Sequence, residues 1–166
     1  MKISTKKGDS GKSSTLTEKD VHKDSIIFEV VGTIDELNAF VGFARVKCNM
    51  FCKELKTIQE YLIKVNAFVA CGGKNYLKDV EEFLNWLDSQ VEKYEKTIEL
   101  KNFIIFGDYE ESSRLDLCRA VCRRCERKVV SLTKIKKTDF LLTKVFNRLS
   151  DLFFIYSVIE LQNKKG

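Results

Sequence analysis

Proline is absent from this chain, and histidine occurs once, at His22. With no proline to remove a backbone donor, nothing in the sequence forces a break in a long helix. A single imidazole argues against di-iron bundles, zinc hydrolases and histidine-based triads together. Only eight glycines interrupt 166 residues, which again leaves long stretches for helices. No segment approaches the roughly 18 apolar residues of a membrane span. The opening M-K-I-S-T-K-K-G-D is polar and carries no signal-peptide core. The positive excess is slight, 29 Lys and Arg against 24 Asp and Glu, for a net charge of +5. The signs alternate along the chain, so charge gives no argument for nucleic acid. A chain of this length makes one domain with a proper core.

What is present is helical periodicity. Val30, Ile34, Leu37, Val41, Ala44 and Cys48 share a face over 28–48. Leu55, Ile58, Leu62, Val65 and Val69 repeat the spacing in a second helix, which Gly72 and Gly73 should end. Val80, Phe83, Leu84, Leu87, Val91 and Tyr94 give a third. The run Phe103, Ile104, Ile105, Phe106 before Gly107 and Asp108 is too short for a helix and reads as an extended linker that returns to the core. Ser112 or Ser113 is the expected cap of a fourth helix reaching about residue 133, and a fifth covers about 139–161. The fold expected is an all-α five-helix bundle over 28–166, ferritin-like in general appearance, behind an arm at 1–27. In the first helix Gly42 costs about 1 kcal/mol relative to alanine, tolerable where another backbone comes close. In the fifth, Asn147, Asp151, Phe154 and Val158 form a stripe opposite the core face. Exposed Phe154 and Val158 would favour an oligomer.

Two segments carry chemistry. C-R-A-V-C-R-R-C-E-R at 118–127, wound at about 100° per residue, puts Cys118, Val121, Cys122 and Cys125 on one apolar face. Arg119, Arg123 and Arg127 stack one turn apart on its flank beside Glu126. Three guanidiniums in a row repel one another, so an anion belongs there, either a carboxylate from another element or a phosphate chain. Arg124 points away from Arg123 and toward solvent. The six cysteines, Cys48 and Cys52 and Cys71 with those three, read mostly as buried thiols in a reducing compartment. A zinc site needs about four ligands, and no second C-x-x-C exists.

The arm T-K-K-G-D-S-G-K-S-S-T at 5–15 gathers glycines, lysines, hydroxyls and free backbone N–H groups, the composition of a phosphate cradle. It is not a Walker A loop, because the G-x-x-x-x-G-K-[ST] spacing is absent. A solvated N-terminus is the plainer alternative.

These two segments, with K-D at 23–24, V-G-T-I-D-E-L-N at 31–38 and N-R-L-S-D at 147–151, resemble the ATP:cob(I)alamin adenosyltransferase (corrinoid adenosyltransferase) family, closest to its animal-type members. The resemblance spans nearly the whole chain with all five segments in order. It implies a transferase, assembled as a homotrimer with sites between subunits. The enzyme would move the 5′-deoxyadenosyl group of ATP to the cobalt of cob(I)alamin and release triphosphate. By resemblance Thr5, Lys6, Lys7, Gly8, Ser13, Ser14 and Lys23 wrap the triphosphate with its Mg²⁺. Arg123, Arg124, Cys125, Glu126, Arg127 and Asn147 hold the nucleotide from the neighbouring subunit. Asp35 pairs with Arg119 across the interface, and Phe103 lies beneath the corrin ring, where it displaces the lower cobalt ligand. Arg123 and Phe103 are then the catalytic residues, with no protein zinc or iron site. The implied partners are a cobalamin reductase and an adenosylcobalamin-dependent mutase, with no nucleic acid and no membrane. The implied compartment is intracellular, cytoplasmic on this sequence and mitochondrial if a presequence is removed.

The chain departs from the family at the cobalamin side. Where the family usually has F-I-L-P and small residues, this chain reads Phe103-Ile104-Ile105-Phe106-Gly107-Asp108. That loop leaves an alternative open, an ATP-binding trimer serving as a regulatory or interaction module without cobalamin turnover.

Overall fold

The computed structural model describes residues 6, 8–73, 75–100, 102–136 and 139–165. Five helices carry the bundle: α1 Ile26–Arg45, α2 Cys52–Ala70, α3 Leu77–Glu95, α4 Glu110–Lys136 and α5 Leu141–Lys165. The arm, expected as irregular, holds a short antiparallel ribbon of β1 Lys12–Ser13 and β2 Val21–His22, with Lys12 opposite His22. α4 packs between α1 and α5, α5 also lies against α3, and α2 closes the bundle between α1 and α3. Among the described residues no helix is long and apolar enough to cross a membrane.

The apolar stripes read from the sequence form the core. Val30, Ile34, Leu37 and Val41 of α1 and Leu55, Ile58, Leu62 and Val65 of α2 are wholly buried. Each such side chain contributes about 1.5–3 kcal/mol of burial. α2 ends as its glycines predict. Gly73 N–H bonds Phe68 O at 2.9 Å and Gly72 N–H bonds Val69 O at 3.0 Å, with both glycines at positive φ. The Phe68 ring packs over Gly73, where a Cβ would meet it at 3.5 Å.

Three expectations need correction. α4 begins at Glu110, before the predicted caps; the Ser112 and Ser113 hydroxyls bond back to Tyr109 O at 3.1 and 2.7 Å. They satisfy a carbonyl of the first turn rather than its free N–H groups. Gly42 faces a side-chain amide rather than a backbone: a Cβ there would stand 3.0 Å from Gln59 Nε2. That amide donates to Asn38 O at 3.2 Å, while Asn38 Nδ2 donates to Gln59 O at 3.5 Å, a reciprocal tie between α1 and α2. Val158 is fully buried and Phe154 is half-buried, so the α5 stripe is not an exposed apolar face. α5 is covered by α3 and α4, and the Phe106 ring meets Phe154 edge-on at 6.4 Å. Phe103, in the linker before α4, is fully exposed.

Polar groups inside the bundle set two expectations. Five of the six free cysteines are buried, and only Cys52 is exposed. Burial pushes the Cys48 and Cys118 thiols up to about 12 and raises Cys122 and Cys125 strongly. In the native protein a thiol reagent should therefore titrate Cys52 quickly and the other thiols only on denaturation. Fast reaction of several thiols would contradict this packing. Glu160 of α5 is 5% exposed, and its Oε1 has no hydrogen-bond partner. Burial, reinforced by Glu111 and opposed by Lys164, raises its pKa. A carboxyl raised in the fold favours folding while protonated, and that contribution is lost as pH rises through the folded value. Glu160→Gln should thus add about 1 kcal/mol, or about 2–4 °C in Tm, at pH 8, and almost nothing at pH 4. Thermal unfolding at the two pH values measures the difference.

Candidate functional site

α4 carries the arginines because its other face is spent on packing. Leu115, Cys118, Cys122, Cys125 and Val129 are wholly buried against α1 and α5. A helix whose buried stripe is set has no rotational freedom left. Arg119, Arg123, Arg124 and Arg127 therefore emerge on set bearings. Arg119 Nε donates to Asp116 Oδ1 of its own helix at 2.7 Å. Arg123 Nη1 lies 3.3 Å from Glu126 Oε2, and Glu126 Oε1 accepts from Asn147 Nδ2 of α5 at 3.4 Å. Glu126 is thus the hub between the guanidinium and the amide, with its side chain only 14% exposed. The structure brings together Arg123, Glu126 and Asn147. Cys125 is buried on the apolar face of α4.

Arg124 does not point idly to solvent. Its Nη2 is paired with Glu36 Oε2 of α1. Asp35, the next residue back, accepts from Asn66 Nδ2 at 2.7 Å. Arg119 and Asp35 thus have separate partners within one chain. Glu36 was not singled out from sequence, although it sits beside Asp35 in V-G-T-I-D-E-L-N; the signal was its place in the motif.

Arg119 and Arg123 open onto a cavity of about 470 Å³ between α3, α4 and α5, walled also by Glu95, Arg148, Asp151 and Phe154. Asp151 went unassigned in the sequence although it closes N-R-L-S-D. Burial raises its pKa, and Arg148 and Arg123 pull it back. Arg148 reaches both Asp151, at 3.4 Å, and Asp88 of α3, at 2.6 Å. A second cavity of about 420 Å³ lies alongside, lined by Phe103, Ile104, Ile105, Leu161 and Gln162. Leu100 lines both. A cavity with three arginines thus meets, at Leu100, one with an apolar side at Phe103, Ile104, Ile105 and Leu161 and a polar side at Glu99, Asn102, Asp108 and Gln162.

The arm forms the third part. Gly11 N–H bonds Gly8 O at 3.3 Å, and Lys23 N–H bonds Gly11 O at 3.0 Å. The Lys23 ammonium lies over Gly8, 2.7 Å from where a Cβ would stand, so this glycine makes room for a cation. Lys6 and Ser14 are exposed and Ser13 is half-buried in β1. Thr5 and Lys7 lie outside the described residues. Thr15 Oγ1 accepts from Glu18 N–H at 2.9 Å, which closes the loop between the strands. That loop docks on the helix ends. Leu16 N–H bonds Ala70 O at 3.1 Å, and Lys136 Nζ meets Glu18 Oε1 at 2.9 Å. Lys136 ends α4, so the docked loop stands roughly 20 Å along the helix axis from Arg123, at about 1.5 Å per residue.

Comparison with known proteins supplies the context. A family model described as cobalamin adenosyltransferase matches residues 3–160. The chain is 41% identical over 169 residues to the corrinoid adenosyltransferase of Mus musculus, covering 92% of this chain and 70% of that protein. It is 36% identical over 169 residues to the corrinoid adenosyltransferase of Bacillus subtilis, covering 93% and 83%. Its fold matches a variant PduO-type ATP:corrinoid adenosyltransferase from Lactobacillus reuteri, solved in complex with cobalamin and ATP. That match has a TM-score of 0.89 at 26% identity and covers 99% of this chain and 93% of that one.

The bridge from α1 to α4 is directly testable. Glu36 and Arg124 are each close to half exposed, so solvent screens their attraction. A double-mutant cycle of Glu36→Gln and Arg124→Met, read by thermal unfolding, should give a coupling of about 0.2–1 kcal/mol. Zero coupling would mean that the pair does not persist in solution.

Proposed function

The chain belongs to the cobalamin adenosyltransferase family, and from that membership we propose how its residues divide the work of adenosylating cobalamin. The reaction joins the cobalt of cob(I)alamin to C5′ of ATP. Cobalt supplies the electron pair, the C5′–O5′ bond breaks, and triphosphate leaves with that bond's electrons. Cob(I)alamin is itself the nucleophile, so the protein needs no activated serine, thiol or imidazole. Its tasks are to align C5′, to neutralise the leaving group and to exclude water.

The observation that carries this reading is the shared wall at Leu100 between the arginine-lined cavity and the one beside Phe103, whose apolar side is Phe103, Ile104, Ile105 and Leu161. Polyphosphate chemistry and a flat apolar macrocycle need such neighbours. Arg123, held by Glu126, meets the nucleotide, with Asn147 beside it and Arg127 one turn on. Glu126 orients these groups rather than touching phosphate, because a carboxylate would repel it. Arg124 acts through Glu36 as a brace between α1 and α4. The turn at Gly8, with Lys23 over it and Lys6, Ser13 and Ser14 nearby, fits a polyanion, and Mg²⁺ arrives on the ATP phosphates. Phe103 projects beneath the corrin ring and displaces the lower cobalt ligand.

The active site is shared between copies of the chain in a homotrimer. The docked arm loop and Arg123 lie roughly 20 Å apart along α4, too far for one arm to serve its own ladder without leaving its docking contacts. Asp35 and Arg119 are the pair that sets the register between copies. A reductase supplies the cobalt(I) substrate, and a mutase that uses adenosylcobalamin takes the product.

An anaerobic assay with ATP, Mg²⁺ and chemically reduced cobalamin should yield adenosylcobalamin and triphosphate. Nucleotide binding without turnover would instead support a regulatory module. Arg123→Ala should lower kcat/KM by roughly a hundredfold while the fold survives, the scale for losing one aligned charge. Arg123→Ala and Lys23→Ala chains, each inactive alone, should regain activity when co-assembled, because some sites then combine an intact arm with an intact ladder. No recovery in mixed assemblies would place both residues in the same copy's site.

A further inference from the structure

Residues 102–107, between α3 and α4, make no backbone–backbone hydrogen bond among the described residues. Nothing in the main chain therefore decides which side chains of this arch face outward. Its exposure alternates in the extended manner: Phe103 and Ile105 face solvent, while Ile104 and Phe106 turn toward the protein. A slip of one residue would exchange the two faces and bury Phe103. Phe106 is the inward aromatic anchor against that slip. Its ring meets Phe154 of α5 at 6.4 Å with an interplanar angle of 87°, an edge-to-face contact. Gly107 follows at φ 139°, where only glycine is unstrained, and lets the chain turn from the anchored ring into α4. Phe154 also walls the cavity onto which Arg119 and Arg123 open.

We propose that Phe106 is a positioning residue for the adenosyl transfer: locked on Phe154, it holds the arch in the register that projects Phe103 toward cobalamin and ties that register to the nucleotide cavity. This inference rests on the role given to Phe103 above. The two rings do here the work that chain stiffness would otherwise do, in a segment without proline. Ile104 adds apolar burial but no ring contact, and so supplies less geometric definition.

The test compares Phe106→Ala, Phe106→Tyr, Phe154→Ala and Phe103→Ala, each checked for helical content by circular dichroism. Phe106→Ala should leave KM for ATP within about twofold and slow cobalt alkylation roughly tenfold to a hundredfold, the scale of a misplaced group. Phe154→Ala should behave alike, the double variant should be no worse than either single one, and Phe106→Tyr should restore the rate. A spectroscopic readout separates positioning from stability. The paramagnetic resonance spectrum of bound cob(II)alamin should lose its lower-ligand-free form in Phe106→Ala, as in Phe103→Ala. If Phe103→Ala loses that form while Phe106→Ala and Phe106→Tyr both keep it and the wild-type rate, the anchor is refuted and the Phe103 reading stands. If Phe103→Ala itself keeps the form and the rate, both fall.

Discussion

The bearings of the four arginines depend on the rotation of α4 about its axis. That rotation is held by burying Leu115, Cys118, Cys122, Cys125 and Val129 against α1 and α5. Turning the helix enough to move Arg123 by one position would lift several of these side chains into water, at about 1.5–3 kcal/mol each. The cysteines suit the task because they are small and apolar when protonated, and burial keeps them so. The same constraint sends Arg124 toward α1, where Glu36 receives it, and sets Arg123 beside Glu126 of its own helix, which also accepts from Asn147 of α5.

From that frame the chemistry follows economically. The reaction brings its own nucleophile, so the fold supplies charge, shape and dryness rather than a reactive side chain. Charge comes from arginines whose geometry is set by a carboxylate hub. Shape comes from an arch that carries its aromatic tip clear of the core. The arm carries a cation over a glycine turn, and its Glu18 docks on Lys136 at the far end of α4.

Much of this was legible beforehand. Helical spacing marked all five helices, and the glycine pair marked the end of α2, because local backbone geometry and burial act within one turn. The arginine ladder called for an anion from elsewhere, yet the carboxylates that meet Arg119 and Arg123 come from α4 itself. Except at two serines, whose partner is local, the missing information where reading failed was a partner on another element. Ser112 and Ser113 look like caps in isolation, yet their hydroxyls turn back to Tyr109 O. Val158 looks exposed on a helical wheel, yet α5 is enclosed on more sides than a wheel assumes. Arg124 looks solvated until Glu36 is seen across the gap.

The sequence by itself determined which residues wind into helices, which face of each is apolar, and which motifs of the cobalamin adenosyltransferase family are present. These are properties of neighbours within about one helical turn, and the linear order contains them. Only the tertiary structure decided that Glu126 bridges two helices, that Leu100 joins two cavities, and that Phe106 stands on Phe154 while Phe103 faces out. Those contacts join residues far apart in the chain. Their geometry is set by how whole helices pack, and no local pattern encodes that.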